Sequence, residues 1–223
     1  MDLASFAPAR LPDPSVVLEG THVRLERLTE RHANDLFAAA QGGDADPLLW
    51  AYLAYGPFAD AAELRAWIAE RAAGEDPLFY AIVDRASGRA LGQASYLRMD
   101  PPNGVIEIGH IWLGAPLQRT AGATEAIHLL ARHAFDDLGN RRLEWKCDAA
   151  NARSRAAAER FGFTFEGVFR QHQIVKGRNR DTAWFSILDG EWPSIRAAFE
   201  AWLAPENFDT DGRQRTPLSA HRR

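Results

Sequence analysis

The stretch VIEIGHIWLGAPLQRTAGAT, Val105 to Thr124, decides the fold. Its first nine residues, Val105 to Leu113, are rich in β-branched residues and give the strongest strand signal in the chain. A tight segment, Gly114 to Ala123, then leads directly into a helix. Ala126, Ile127, Leu130, Ala131, Ala134 and Leu138 recur there at helical spacing, and Gly139 and Asn140 stop the run. Leu143 to Cys147 reads as the next strand. A strand, a helix and a strand in that order form a crossover, so these two strands should lie parallel.

On the N-terminal side, Pro8, Pro12 and Pro14 mark an extended arm, taken as flexible over residues 1–15. Val16 to Leu28 suggests a short strand pair. Thr29 caps a helix expected from Glu30 to Ala40, and Gly42, Gly43 and Pro47 end it. An aromatic segment, Leu48 to Phe58, precedes a second helix from Asp60 to Ala73, whose apolar stripe is Leu64, Trp67 and Ile68. Phe79 to Val83 and Leu91 to Leu97 read as an antiparallel hairpin. On the C-terminal side, Asn151 caps a short helix that ends at Gly162. Phe165 to Val175 and Thr182 to Leu188 form a second hairpin with Gly177 at its tip. Ser194 opens a last amphipathic helix with Ile195, Phe199 and Trp202. One α/β domain of mixed sheet is expected over 16–204, mostly antiparallel with a central parallel pair and flanked by helices. A polar tail over 205–223, expected to be mobile, follows it.

Composition narrows the function. Hydrophobic residues are 46% and charged residues 25%, the balance of a water-soluble domain. The net charge of −4 gives no overall attraction to nucleic acid. No apolar run approaches a membrane span, and no basic, apolar leader opens the chain. Cys147 is the only cysteine, which excludes an internal disulfide and suits a reducing, cytoplasmic compartment. Lys146 and Lys176 are the only lysines among 26 basic residues, which points to a GC-rich bacterial genome.

The turn after the first strand can bind phosphate. The first turn of a helix has unpaired N–H groups and the positive end of its dipole. Small residues at Ala121, Gly122 and Ala123 admit an anion close to the backbone. Arg119 adds a charge, and Thr120 and Thr124 add hydroxyls. The same residues also fit a plain connection with a helix cap.

Several ordered motifs strengthen the first reading. Glu107-Ile-Gly-His110, Leu117-Gln-Arg-Thr120 and Thr124-Glu-Ala126 resemble the acetyl-CoA signature of GNAT acetyltransferases. The branch is the one related to the ribosomal-protein N-terminal acetyltransferases. Asn151-Ala-Arg-Ser154, Glu159-Arg-Phe-Gly-Phe163, Phe165-Glu-Gly-Val168 and Arg180-Asp-Thr182 follow in family order, so the resemblance spans roughly residues 16 to 203. It implies that Gln118 to Ala123 binds the CoA pyrophosphate, with Ala121 where the family has glycine; a register of Arg119 to Thr124 would put Gly122 there instead. The flanking matches favour the first register. The resemblance further implies backbone contacts to pantetheine from Ile111, Trp112 and Leu113, and a contact from Asn151, which also serves as a helix cap.

The implied activity is acetyl transfer from acetyl-CoA to a primary amine, on a protein N-terminus or a small molecule. A non-catalytic acyl-CoA-binding module is the alternative. An amine must lose a proton to attack, which costs roughly 4 kcal/mol at neutral pH. Glu107 and His110 compete for the base. In an unbroken pleat they face opposite ways, and a bulge near Gly109, typical of the family, would change that phase. Glu107 also fits a structural hydrogen bond, and His110 a core position. Ser154 matches a serine placed to protonate the departing sulfur. Gln173 stands where ribosomal-protein acetylating relatives carry glutamate, which counts against that substrate. Trp50, Tyr52, Tyr55 and Trp184, with Phe58 and Trp112, are candidates for an acceptor pocket or for core. Asp181 and Glu166 are candidate amine partners. No metal is implied, and the last helix permits a homodimer.

Overall fold

The computed structural model describes residues 6–43 and 45–222. Eight strands form one sheet: β1 Leu18–Glu19, β2 Val23–Arg27, β3 Leu78–Asp84, β4 Ala90–Asp100, β5 Val105–Leu113, β6 Arg142–Asp148, β7 Thr164–Val175 and β8 Arg178–Leu188. Their order is β1-β2-β3-β4-β5-β6-β8-β7, and only β5 and β6 run parallel. The helices are α1 Ala33–Gln41, α2 Ala61–Arg71, α3 Ala121–Arg132, α4 Ala152–Phe161 and α5 Trp192–Leu203. This is the mixed α/β sheet that the crossover implies.

Two apolar layers cover the sheet. Ile106, Ile108, Tyr80 and Tyr96 pack with α3, α4 and α5 on one face. Phe79, Ala81 and Trp112 pack with α1 and α2 on the other. Side chains alternate between faces, so each central strand is apolar on both sides.

Local chemistry sets the helix ends. Asp60 accepts N–H bonds from Ala62 and Glu63, each at 2.8 Å, and opens α2. Asn151 Oδ1 accepts from the Ser154 amide at 3.1 Å and opens α4, which closes at Gly162 with φ +98°. The helix expected from Glu30 starts as a 3₁₀ turn, Glu30–His32, before α1. The last helix begins at Trp192, two residues before Ser194. Pro193 sits in its first turn, where its missing N–H costs no bond.

Both flanks of the domain touch its core. The amides of Ala9 and Arg10 bond to the carbonyls of Pro101 (3.0 Å) and Leu138 (2.8 Å). Residues 1–5 of the expected arm lie outside the described residues, as does Arg223 of the tail. After Pro205, the Asn207 amide group donates to Trp202 O at 2.9 Å, and Leu218 is buried against the α3–α5 layer. Arg222 donates to Glu159 O at 2.9 Å.

Candidate active site

β5 and β6 are paired over four residues only, Val105–Ile108 against Arg142–Trp145. Beyond them β5 stays with β4 and β6 with β8, so the two strands part. The gap opens into a cavity of about 600 Å³. Ile127, Ala157 and Phe161 close it on the helix side, and Leu49, Tyr52 and Leu53 roof it.

A bulge shapes one wall. The register between β4 and β5 shifts between Gln93 and Ser95, opposite Gly109 and Trp112, and His110 adopts φ +50°. A non-glycine residue there is strained. The extra residue reverses the pleat. Ile106 and Ile108 face the α3 layer, so Glu107 faces the α1 layer, and Trp112 faces the α1 layer as well. The His110 ring lies between Tyr55 (5.7 Å, near-parallel) and Phe79 (5.0 Å), on that same side. Glu107 and His110 therefore share one face and one cavity. Burial, then the charges of Arg98, Arg180 and Arg71, pull the His110 pKa down to about 4.

Glu107 is 3% exposed. Its Oε2 accepts from Arg98 at 2.7 Å and from Lys146 Nζ at 2.9 Å. Lys146 also pairs with Glu144 at 2.7 Å and sits 3.7 Å over the Trp184 ring. Arg142 extends the network to Glu144 and Glu166. Glu107 is thus an anchor between two cations, as a structural hydrogen-bonding role requires.

On the opposite wall, Ser154 Oγ accepts from Trp145 Nε1 at 3.0 Å, and Cys147, whose pKa burial pushes up, lines the same cavity. Asn151 and Ser154 line it too.

The phosphate turn follows β5, whose last residues line the cavity. Thr120 caps α3, its Oγ1 accepting from the Ala123 amide at 3.2 Å and donating to Leu117 O at 2.8 Å. Ala121 and Gly122 begin the helix, where an amide has no intrahelical partner. Ala121 has no positive φ; Arg119 carries it instead, at +62°. Alanine is therefore unstrained at its position. A Cβ on Gly122 would come within 2.9 Å of Val23 Cγ1, so this glycine serves packing against β2. Gln118 lines the cavity and donates to Leu113 O at 2.9 Å, while Thr124 is buried and accepts from Arg160 at 3.1 Å. The bond from Gly114 N to Leu91 O fixes the alternation: Trp112 turns its backbone toward β4 and Leu113 toward the open side. Ile111, in the bulge, also lines the cavity.

Of the four aromatic candidates, Tyr52 lines the cavity and donates to Ala150 O at 3.2 Å across its mouth. Trp50 is buried behind it against Phe58 and Trp112, and Tyr55 backs His110 while accepting from Gln93 at 3.0 Å. Trp184 lies under Lys146. Asp181 is turned to the Gln171 amide at 2.7 Å, and Glu166 belongs to the Arg142 network. The cavity also holds Arg98, Lys146, His172 and Arg180, cationic or titratable side chains not selected from sequence. For Lys146 a signal existed, the rarity of lysine in an arginine-rich chain.

These strands and turns fit an acyl-CoA arm: a parted strand pair, a half-strand whose Leu113 backbone is turned to the gap and a helix start with free amides. Comparison with known proteins agrees. Residues 22–164 match the model of the acetyltransferase (GNAT) domain. A crystal structure of a GCN5-related N-acetyltransferase from Brucella melitensis is 49% identical, covers 98% of each chain and superposes with a TM-score of 0.94. YdaF of Bacillus subtilis (strain 168), provisionally named a ribosomal N-acetyltransferase, is 32% identical over 105 residues, 47% of this chain and 57% of its own. The ribosomal-protein-serine acetyltransferase of Escherichia coli (strain K12) is 29% identical over 102 residues, 45% and 56%. The matched stretch thus spans little more than half the length of these two curated relatives. No helix among the described residues is long and apolar enough to cross a membrane. The chain belongs to the GNAT acetyltransferase family, on the branch that includes relatives named for ribosomal-protein acetylation.

Proposed function

We propose that this protein transfers an acetyl group from acetyl-CoA to a primary amine, with both bound in the cavity between β5 and β6. The observation that carries the reading is the four-residue limit of the β5–β6 pairing, which leaves one cavity between a catalytic wall and a helix start. Bound acetyl-CoA supplies an activated acyl thioester. The amides of Ala121 and Gly122, with Arg119, hold its phosphates; Leu113, Ile111 and Asn151 hold its arm.

The remaining work falls to protein groups. Arg98 and Lys146 are paired with Glu107, so the unpaired charge is that of Arg180, which lowers the pKa of an amine placed near it and favours its neutral, nucleophilic form. His110 is neutral at physiological pH and can accept the amine proton on a ring nitrogen. Glu107 holds Arg98 and Lys146 in place. Ser154 holds a proton on Oγ next to Cys147, ready for a departing thiolate. The single free thiol suits a reducing cytoplasm.

The test is acetyl-CoA-dependent release of CoA across a panel of amines, run beside a thermal-shift assay with acetyl-CoA. Release with at least one amine supports the reading. A cofactor-induced shift without turnover of any amine leaves only a binding module. No shift at all removes acetyl-CoA from the account.

A further inference from the structure

Arg180 is the charged side chain of the cavity wall that has no partner. Among the other charged groups there, Arg98 and Lys146 are held by Glu107, at 2.7 and 2.9 Å. Arg153 is paired with Asp46, and Asp148 is turned to the Ala150 amide at 2.8 Å. Arg180, on β8, makes no ion pair or side-chain hydrogen bond with any described residue, and its Nε is buried. A half-buried guanidinium whose Nε has no partner is satisfied most readily by a planar or tetrahedral oxyanion.

Its position points the same way. Arg180 lines the cavity together with His110 of β5 and Cys147 of β6, the two sides of the opening. The guanidinium therefore shares the cavity with the group that receives the amine proton. A polycationic acceptor would meet the unpaired charge of Arg180 and be repelled.

We infer that the acceptor is a small primary amine bearing an anionic group, a carboxylate or phosphate near the nitrogen, and that Arg180 binds that group. This rests on the transferase reading above and names its substrate class. The cavity of about 600 Å³ must hold the acyl end of the cofactor as well, so the acceptor is small. Arg180 is a specificity residue here; proton transfer is left to other groups.

The experiment measures CoA release from the full chain and acetyl-CoA with matched pairs of acceptors. L-Phenylalanine is set against L-phenylalaninamide, and O-phosphoethanolamine against ethanolamine, so that the two arms separate carboxylate from phosphate. The amide is the more easily deprotonated amine, so basicity alone favours it over the acid. The expected result is a kcat/KM at least about tenfold higher for the anionic member of one pair. Arg180→Gln should shrink that ratio about tenfold through KM, and Arg180→Lys should restore part of it. Equal or better turnover of the uncharged members overturns the inference and leaves the transferase standing. An unchanged ratio in a folded Arg180→Gln protein overturns the role of Arg180. Absence of turnover with every amine, despite a cofactor-induced thermal shift, overturns the transferase reading and this inference with it. The wild-type comparison decides the substrate class even where a variant fails to fold.

Discussion

The Trp145 indole donates to Ser154 Oγ at 3.0 Å. This bond fixes the serine oxygen on the cavity wall and leaves its own O–H to donate. Ser154→Ala should therefore lower kcat about 10²-fold, while the KM for acetyl-CoA moves by about threefold or less. Steady-state kinetics with a competent amine decide it. A large rise in KM with kcat intact would mean that the serine serves binding.

Arg119 takes a left-handed conformation, φ +62°, just before Thr120, the cap of α3. Glycine is relaxed there, so Arg119→Gly should leave the melting temperature unchanged or raise it, by up to about 1 kcal/mol in stability. If the guanidinium helps hold the cofactor phosphates, the same variant should raise the Kd for CoA about fivefold and weaken its salt dependence. Calorimetric titration at two ionic strengths separates the two effects. Unchanged affinity would remove Arg119 from the phosphate site.

Glu125 was expected only as part of a motif, yet its carboxylate performs a structural task. It accepts the amides of Thr21, His22 and Val23, at 2.7, 2.7 and 2.8 Å, and so ties the β1–β2 turn to α3. Glu125→Ala strands these donors and should destabilise the domain by about 3 kcal/mol. Urea denaturation measures it. A loss below about 1 kcal/mol would show that water replaces the carboxylate.

His128, on α3, stacks 5.1 Å from Phe199 and has a buried Nε2 without a partner. Burial, then the charge of Arg132, lowers its pKa to about 4. Between about pH 6.5 and 4 the unfolded chain binds a proton that the folded chain refuses. Stability should therefore fall as pH drops through that window and level off below it, by at most roughly 3 kcal/mol from this residue. His110 adds a fall of the same sign over the same range. His128→Phe should flatten the profile in part. A profile with unchanged slope would place the acid sensitivity elsewhere.

The strands, the crossover and the helix caps were legible because each rests on local chemistry. The run Val105–Leu113 matches β5 residue for residue, and Asn151 caps α4 as its side chain requires. The phase of the wall was legible only through the family resemblance, which placed a bulge near Gly109. It depends on one bulged residue at His110, and a pleat read from sequence leaves Glu107 and His110 on opposite sides until that residue is located. The partners of Glu107 were hidden for another reason. Arg98 and Lys146 come from neighbouring strands, and no local pattern reveals a cross-strand charge pair. Trp50 and Tyr55 illustrate the ambiguity of aromatics, since the same ring type can wall a cavity or stand one layer behind it.

The short β5–β6 pairing has a mechanical consequence. The sheet is in effect two leaves, β1 to β5 and β6 to β8, joined along a seam only four residues long. A molecule threaded between the leaves supplies the missing rungs and sutures them together. Hydrogen exchange at Gly109–Leu113 and Lys146–Asp148 should then slow in concert when it binds, with the protein breathing least when loaded.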